Sequence, residues 1–169
     1  WGSVMPVLTA AFFMTLSAAP PAPPTGPSPE PSVQEVDAMN ACVLEAGPAT
    51  AITQCRGQVF EACVDQPGGE TTAVQLVCLR RELSIWTDQL EAAEAAMKSA
   101  LEGVYTPSRP EAFEQAQNAW RDYLRAECRQ QSLLFEGGRF EAVRVAGCVM
   151  RLTSQRAVEL QSQLAEIEA

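Results

Sequence analysis

Seven residues between positions 79 and 100 recur at alternating steps of four and three: Leu79, Leu83, Trp86, Leu90, Ala93, Met97 and Ala100. That spacing keeps an apolar stripe on one face of a helix, as in a heptad seam. A chain carrying such a stripe has to bury it against another helix, in its own fold or in a second copy. The predicted helix begins at Thr71 or Thr72, after the turn Pro67-Gly68-Gly69, reaches Glu102 and stops at Gly103. No alternating run rich in Val, Ile and Thr supports a strand anywhere in the sequence.

The flanking segments also read as helices. Ser32 and Glu35 form a capping-box pattern, opening a helix that runs to about Ala46 and ends at Gly47-Pro48. A second, from about Thr50 to Cys63, is weakened by Gly57. Ser108 and Glu111, with Pro110 between them, mark another start. Phe113, Ala116, Trp120, Tyr123 and Leu124 form the apolar stripe of that helix, which ends before Gly137-Gly138. A last helix runs from about Phe140 to Ile167, with Val149, Leu152, Ala157, Leu160, Leu164 and Ile167 inward. The expected fold is all-α, a disulfide-braced bundle of three long helices plus a short N-terminal helical pair.

The chemistry open to this chain is narrow. It contains no histidine, so the usual general base, zinc ligand and nucleophile partners are missing. Glu91 with Glu94, and Glu166 with Glu168, are the carboxylate pairs that remain, and on amphipathic helices they read as a solvated face. Arg121, Arg125 and Arg129 make a basic stripe that Glu114 and Glu136 would neutralise locally. Neither Gly-Gly step has the strand-before, helix-after context of a phosphate loop. No catalytic residue, metal or cofactor is expected. With 21 acidic and 12 basic residues the net charge is −9, which repels nucleic acid and favours a cationic protein partner.

The six cysteines, Cys42, Cys55, Cys63, Cys78, Cys128 and Cys148, show no C-x-x-C spacing. An even set in an exported chain implies disulfides. Cys128 and Cys148 stand apart and are expected to pair. The other four are expected as Cys42–Cys55 and Cys63–Cys78, with Cys55–Cys78 and Cys42–Cys63 as the alternative. Export is suggested by the apolar run from Val7 to Leu16, too short for a stable membrane span, and by the small residues Ser17, Ala18 and Ala19 behind it. The expected organisation is a signal peptide over 1–19, truncated at its start, a Pro-rich spacer over 20–31 and a helical domain over 32–169. No cysteine closely follows the apolar run, so a lipid anchor has no attachment point. Localisation would be periplasmic or secreted, with no stable membrane anchor in the mature form.

Three stretches carry a resemblance. Cys78, Glu82, Trp86, Asp88 and Leu90 lie in a long helix directed toward Tyr105; Gln117, Trp120 and Tyr123 precede Cys128; and Gly137-Gly138 precedes Cys148, Thr153, Arg156 and Leu160. Together they resemble the LprI-like lysozyme inhibitors, a family of exported helical domains with cysteines. Leu124-Arg125 and Leu90-Glu91 depart from the family pattern. The resemblance implies Trp86, Trp120, Tyr123, Gly137, Gly138, Thr153 and Arg156 as scaffold positions. It also implies a lysozyme-type enzyme as partner. Such an enzyme carries two carboxylates in its cleft, so the inhibitor should offer donors from a turn. Arg109 and Arg139, each beside a turn, are the candidates. The alternative is a non-inhibitory envelope module that self-associates, or binds a partner, through the seam of the 72–102 helix.

Overall fold

A computed structural model describes residues 1–2, 26–102 and 108–168, and these form five helices. They are α1 (Val33–Gln54), α2 (Gln58–Val64), α3 (Thr72–Glu102), α4 (Ser108–Leu133) and α5 (Glu141–Glu168). No strand occurs among the described residues. The expected signal run, its cleavage zone, the first prolines of the spacer, Gly103 and Tyr105 lie outside them.

α1 starts as its sequence dictates. The Glu35 N–H donates to the Ser32 hydroxyl at 3.2 Å, and the Ser32 N–H donates to the Glu35 carboxylate at 2.7 Å. The expected stop at Gly47-Pro48 is instead a bend. Gly47 sits at φ 65°, ψ 170°, and the helix resumes beyond it to Gln54. The Cys42–Cys55 bridge ties the two arms of this bent helix together. The expected helix over 50–63 therefore does not form as one piece. The chain breaks at Cys55–Gly57, and only the seven residues of α2 follow. The N-terminal pair is thus one long bent helix and one short helix.

Three disulfides brace the fold: Cys42–Cys55, Cys63–Cys78 and Cys128–Cys148, with Cα separations of 5.8, 5.7 and 5.5 Å. Each closes a short loop and stabilises by about 3 kcal/mol, chiefly by restricting the unfolded chain.

α3 is the central element. Thr71 caps it through a hydrogen bond from the Val74 N–H at 3.3 Å. Leu79, Trp86, Leu90, Ala93 and Met97 of the seam are all buried. They pack largely against α5, whose Met150, Ala157, Val158 and Leu160 belong to the same core as Met39, Ala51 and Val59 from α1 and α2. Five of the seven seam positions are thus consumed inside the chain, while Leu83 and Ala100 are half-buried. No helix among the described residues is long and apolar enough to cross a membrane.

α4 packs on α5 and, less extensively, on α3. Its stripe differs from the expected one. Phe113 and Trp120 are half-buried against the core, but Ala116 and Tyr123 face solvent, and the buried positions are Gln117 and Cys128. Leu124 joins Cys128, Cys148, Val149 and Leu152 in a small second cluster. Ile167, at the end of α5, is exposed rather than inward.

Candidate functional site

The three motif stretches have separate physical tasks. Cys78, Glu82 and Trp86 follow one another at steps of four, so they share one face of α3. Glu82 is completely buried. Its carboxylate accepts hydrogen bonds from the Gly57 N–H at 2.7 Å, the Phe60 N–H at 2.9 Å and the Trp86 indole N–H at 3.0 Å. A buried carboxylate is tolerated only when its oxygens are satisfied in this way. Here it holds the start of α2, while Cys78 anchors the end of α2 through Cys63. Glu82 is a structural residue.

The second and third stretches meet each other. Gln117 is 2% exposed, and its side-chain oxygen accepts from Arg156 Nε at 3.1 Å. Arg156 also pairs with Glu159 at 2.8 Å. Thr153 is buried one turn before Arg156. Trp120 is half-buried on the same side of α4, whereas Tyr123 is 54% exposed and belongs to the surface rather than the scaffold.

α4 is clamped to α3 by charges. Arg121 pairs with Glu94 at 2.6 Å, and Lys98 with Glu114 at 2.9 Å. The expected neutralisation of the stripe by Glu114 and Glu136 does not form among the described residues: Glu114 pairs with Lys98, and the ion pair within α4 is Arg125 with Asp122. Glu94 is therefore not a solvated carboxylate: its side chain is largely buried and ion-paired, while Glu91 is exposed. Among the described residues no group of acidic residues and cysteines could hold a metal ion.

A group of exposed apolar side chains lies at the α4–α5 turn. Leu133, Leu134 and Phe140 are 62%, 67% and 54% exposed, and Arg139 is exposed between them. The turn is nonetheless well fixed. Gly138 N–H donates to the Phe135 carbonyl at 2.9 Å, and Glu141 N–H to the Gly138 carbonyl at 3.1 Å. Gly137 N–H donates to the Glu141 carboxylate at 3.3 Å, and the Arg144 guanidinium sits 4.6 Å over the Phe135 ring. Gly137 adopts φ 73°, and a Cβ on Gly138 would meet the Phe135 carbonyl oxygen at 2.9 Å, so both positions require glycine. The Cys128–Cys148 bridge closes the base of the turn.

The two candidate arginines are not brought together. Arg109 is exposed in the first turn of α4, and Arg139 lies beyond its last. α4 has 26 residues, about 39 Å at ~1.5 Å per residue. They cannot enter one cleft. Arg139 instead neighbours Arg80 of α3, which sequence reasoning did not single out. Both line a groove of about 530 Å³ floored by Leu76, Leu83, Val145 and Val149. Arg80 sits on α3 between Leu76 and Leu83, but its use depends on where α5 lies, and no local pattern reports that.

A family model described as lysozyme inhibitor LprI matches residues 63–160, which span the end of α2, α3, α4 and most of α5, including the α4–α5 turn. No curated protein and no solved structure matches the chain. The match takes in two of the three disulfides, the Glu82–Trp86 anchor and the Gln117–Arg156 contact, and on that basis the chain belongs to the lysozyme inhibitor LprI family.

Proposed function

We propose that this chain is an exported, non-catalytic binding domain that inhibits a lysozyme-type cell-wall lytic enzyme by filling its cleft with the α4–α5 turn. The observation that carries the reading is the lysozyme-inhibitor family match across that turn. The turn has the required character: a cationic donor, Arg139, flanked by exposed Phe140, Leu133 and Leu134. Lysozyme-type clefts hold two carboxylates, which Arg139 would meet, and the exposed apolar side chains would cover the adjoining walls. Because hydrogen bonds and a disulfide already fix the turn, little conformational freedom would be lost on docking. The net charge of −9 would steer the domain toward a cationic enzyme and make the on-rate fall with salt.

Three disulfides support maturation in an oxidising space, in line with the proposed leader over 1–19 and proline-rich spacer over 20–31. The spacer's far end is held on the domain: the Ser28 carbonyl accepts hydrogen bonds from the Arg81 guanidinium, one of them at 2.8 Å. The test is a cell-wall lysis assay with purified oxidised protein and lysozyme. Inhibition that Arg139→Ala weakens by roughly tenfold or more, with Arg109→Ala as the indifferent control, is the expected result. Unchanged lysis at molar excess overturns the reading.

A further inference from the structure

The groove between α3 and α5 shares Arg139 with the inhibitor reading, but its remaining lining plays no part in that reading. Its floor is aliphatic, formed by Leu76 and Leu83 from α3 and by Ala142, Val145 and Val149 from α5. Its rim carries Arg80 and Arg139. Neither has a carboxylate partner within ion-pair distance among the described residues, a property shared by Arg144 and Arg151, which line a smaller cavity of about 360 Å³ between α3 and α5. The one acid at the rim, Glu141, accepts the Gly137 N–H. Two cations against one carboxylate over an apolar floor are a local excess of positive charge on a chain of net −9. The volume, about 530 Å³, lies within the range of ~300–1,000 Å³ usual for binding sites.

Two other cavities lack such a pointer. The one at the bend of α1, about 460 Å³ and lined by Val43, Leu44, Pro48 and Ala92, has no charged residue to select an occupant. The one between α3 and α4 is lined by Glu94, Lys98, Glu114 and Arg121, whose charges already pair with each other.

We propose that the α3–α5 groove is a docking site for an acidic peptide segment of a partner protein. Aliphatic side chains of the segment seat on Leu76, Leu83 and Val145, and its carboxylates meet Arg80 and Arg139. This is the groove mode of peptide recognition, in which apolar anchors supply affinity and flanking charges select the sequence. It shares Arg139 with the inhibitor reading but does not require it, and its test rests on Arg80 and Ala142, which that reading does not use.

The test uses the oxidised full chain and a short fluorescein-labelled peptide of alternating glutamate and leucine, followed by fluorescence anisotropy. The same peptide with lysine in place of glutamate is the contrast. Saturable binding of the glutamate peptide with Kd below about 1 mM, weakened about tenfold by Arg80→Glu and abolished by Ala142→Trp, is the expected result. Arg80 and Ala142 are both exposed, so neither change threatens the fold; circular dichroism checks this. Leu44→Asp, in the α1 cavity, leaves binding unchanged. Equal binding of the lysine peptide, no binding of either, or binding indifferent to both groove variants overturns the proposal. Because no lytic enzyme is present, the result is separate from that of the lysis assay.

Discussion

α3 and α4 are neighbouring helices of similar length held by opposite means. α3 buries a continuous apolar seam against α5, and its polar contacts are additions to that core. α4 contributes only Gln117 and Cys128 as buried residues. What keeps it in place is a disulfide at one end, the Gln117–Arg156 hydrogen bond and the Arg121–Glu94 and Lys98–Glu114 pairs toward the other, and the half-buried Phe113 and Trp120. Hydrophobic burial is proportional to area and needs no exact partner, whereas clamps of this kind act one at a time. A helix held by clamps can therefore be released stepwise while the α3–α5 core persists.

The largest expected effect tests the core half of that contrast. Trp86→Ala removes a fully buried ring and one donor to Glu82. It should cost about 3–5 kcal/mol, read as a lower denaturant midpoint with loss of all five helices together. Replacing Cys128 and Cys148 by serine should cost about 3 kcal/mol and act locally. Hydrogen exchange should accelerate along α4 while the α3–α5 core stays protected, and uniform acceleration would break the contrast. Gln117→Ala, which deprives Arg156 of an acceptor, should cost about 1–2 kcal/mol in the same denaturation experiment and make α4 the first helix to exchange.

The smallest effect concerns the start of α1, also held by polar contacts. Burial pushes the Glu35 carboxyl upward, but hydrogen bonds from the Ser32 N–H and hydroxyl and the nearby Arg81 guanidinium outweigh it and hold the group below its ordinary value of 4.5. A carboxyl depressed in the folded state stabilises above its unfolded pKa, and that contribution is lost as the pH falls through the lower folded value. Amide exchange at the α1 start should therefore be insensitive to pH-dependent opening near neutrality. Opening should begin only below about pH 4.5, and Glu35→Gln should remove the dependence.

Much of the architecture was legible because it rests on periodicity and punctuation. The seam located α3, Ser32 with Glu35 located the start of α1, and glycine pairs marked two turns. Gly47-Pro48 misled because a helix-stopping dipeptide also suits a bend, and the chain resumes where the Cys42–Cys55 bridge and the core receive it. The α4 stripe misled for a related reason. Tyr123 has the greater apolar surface, yet Gln117 is the residue facing Arg156, and only the position of α5 decides between them. Arg139 could be noticed beside its turn. Arg80 could not, since its relation to Arg139 exists only once α3 and α5 lie side by side.

The Glu82 carboxylate has a consequence for where this domain can be cut. Its backbone donors, Gly57 and Phe60, stand upstream of Cys63, where the family match begins. A fragment trimmed to that boundary would keep the acid and discard two of its three donors, leaving it the Trp86 indole N–H alone. A piece that keeps all three donors thus reaches back past Gly57, and Met39 and Ala51 bind the bent first helix into the same core.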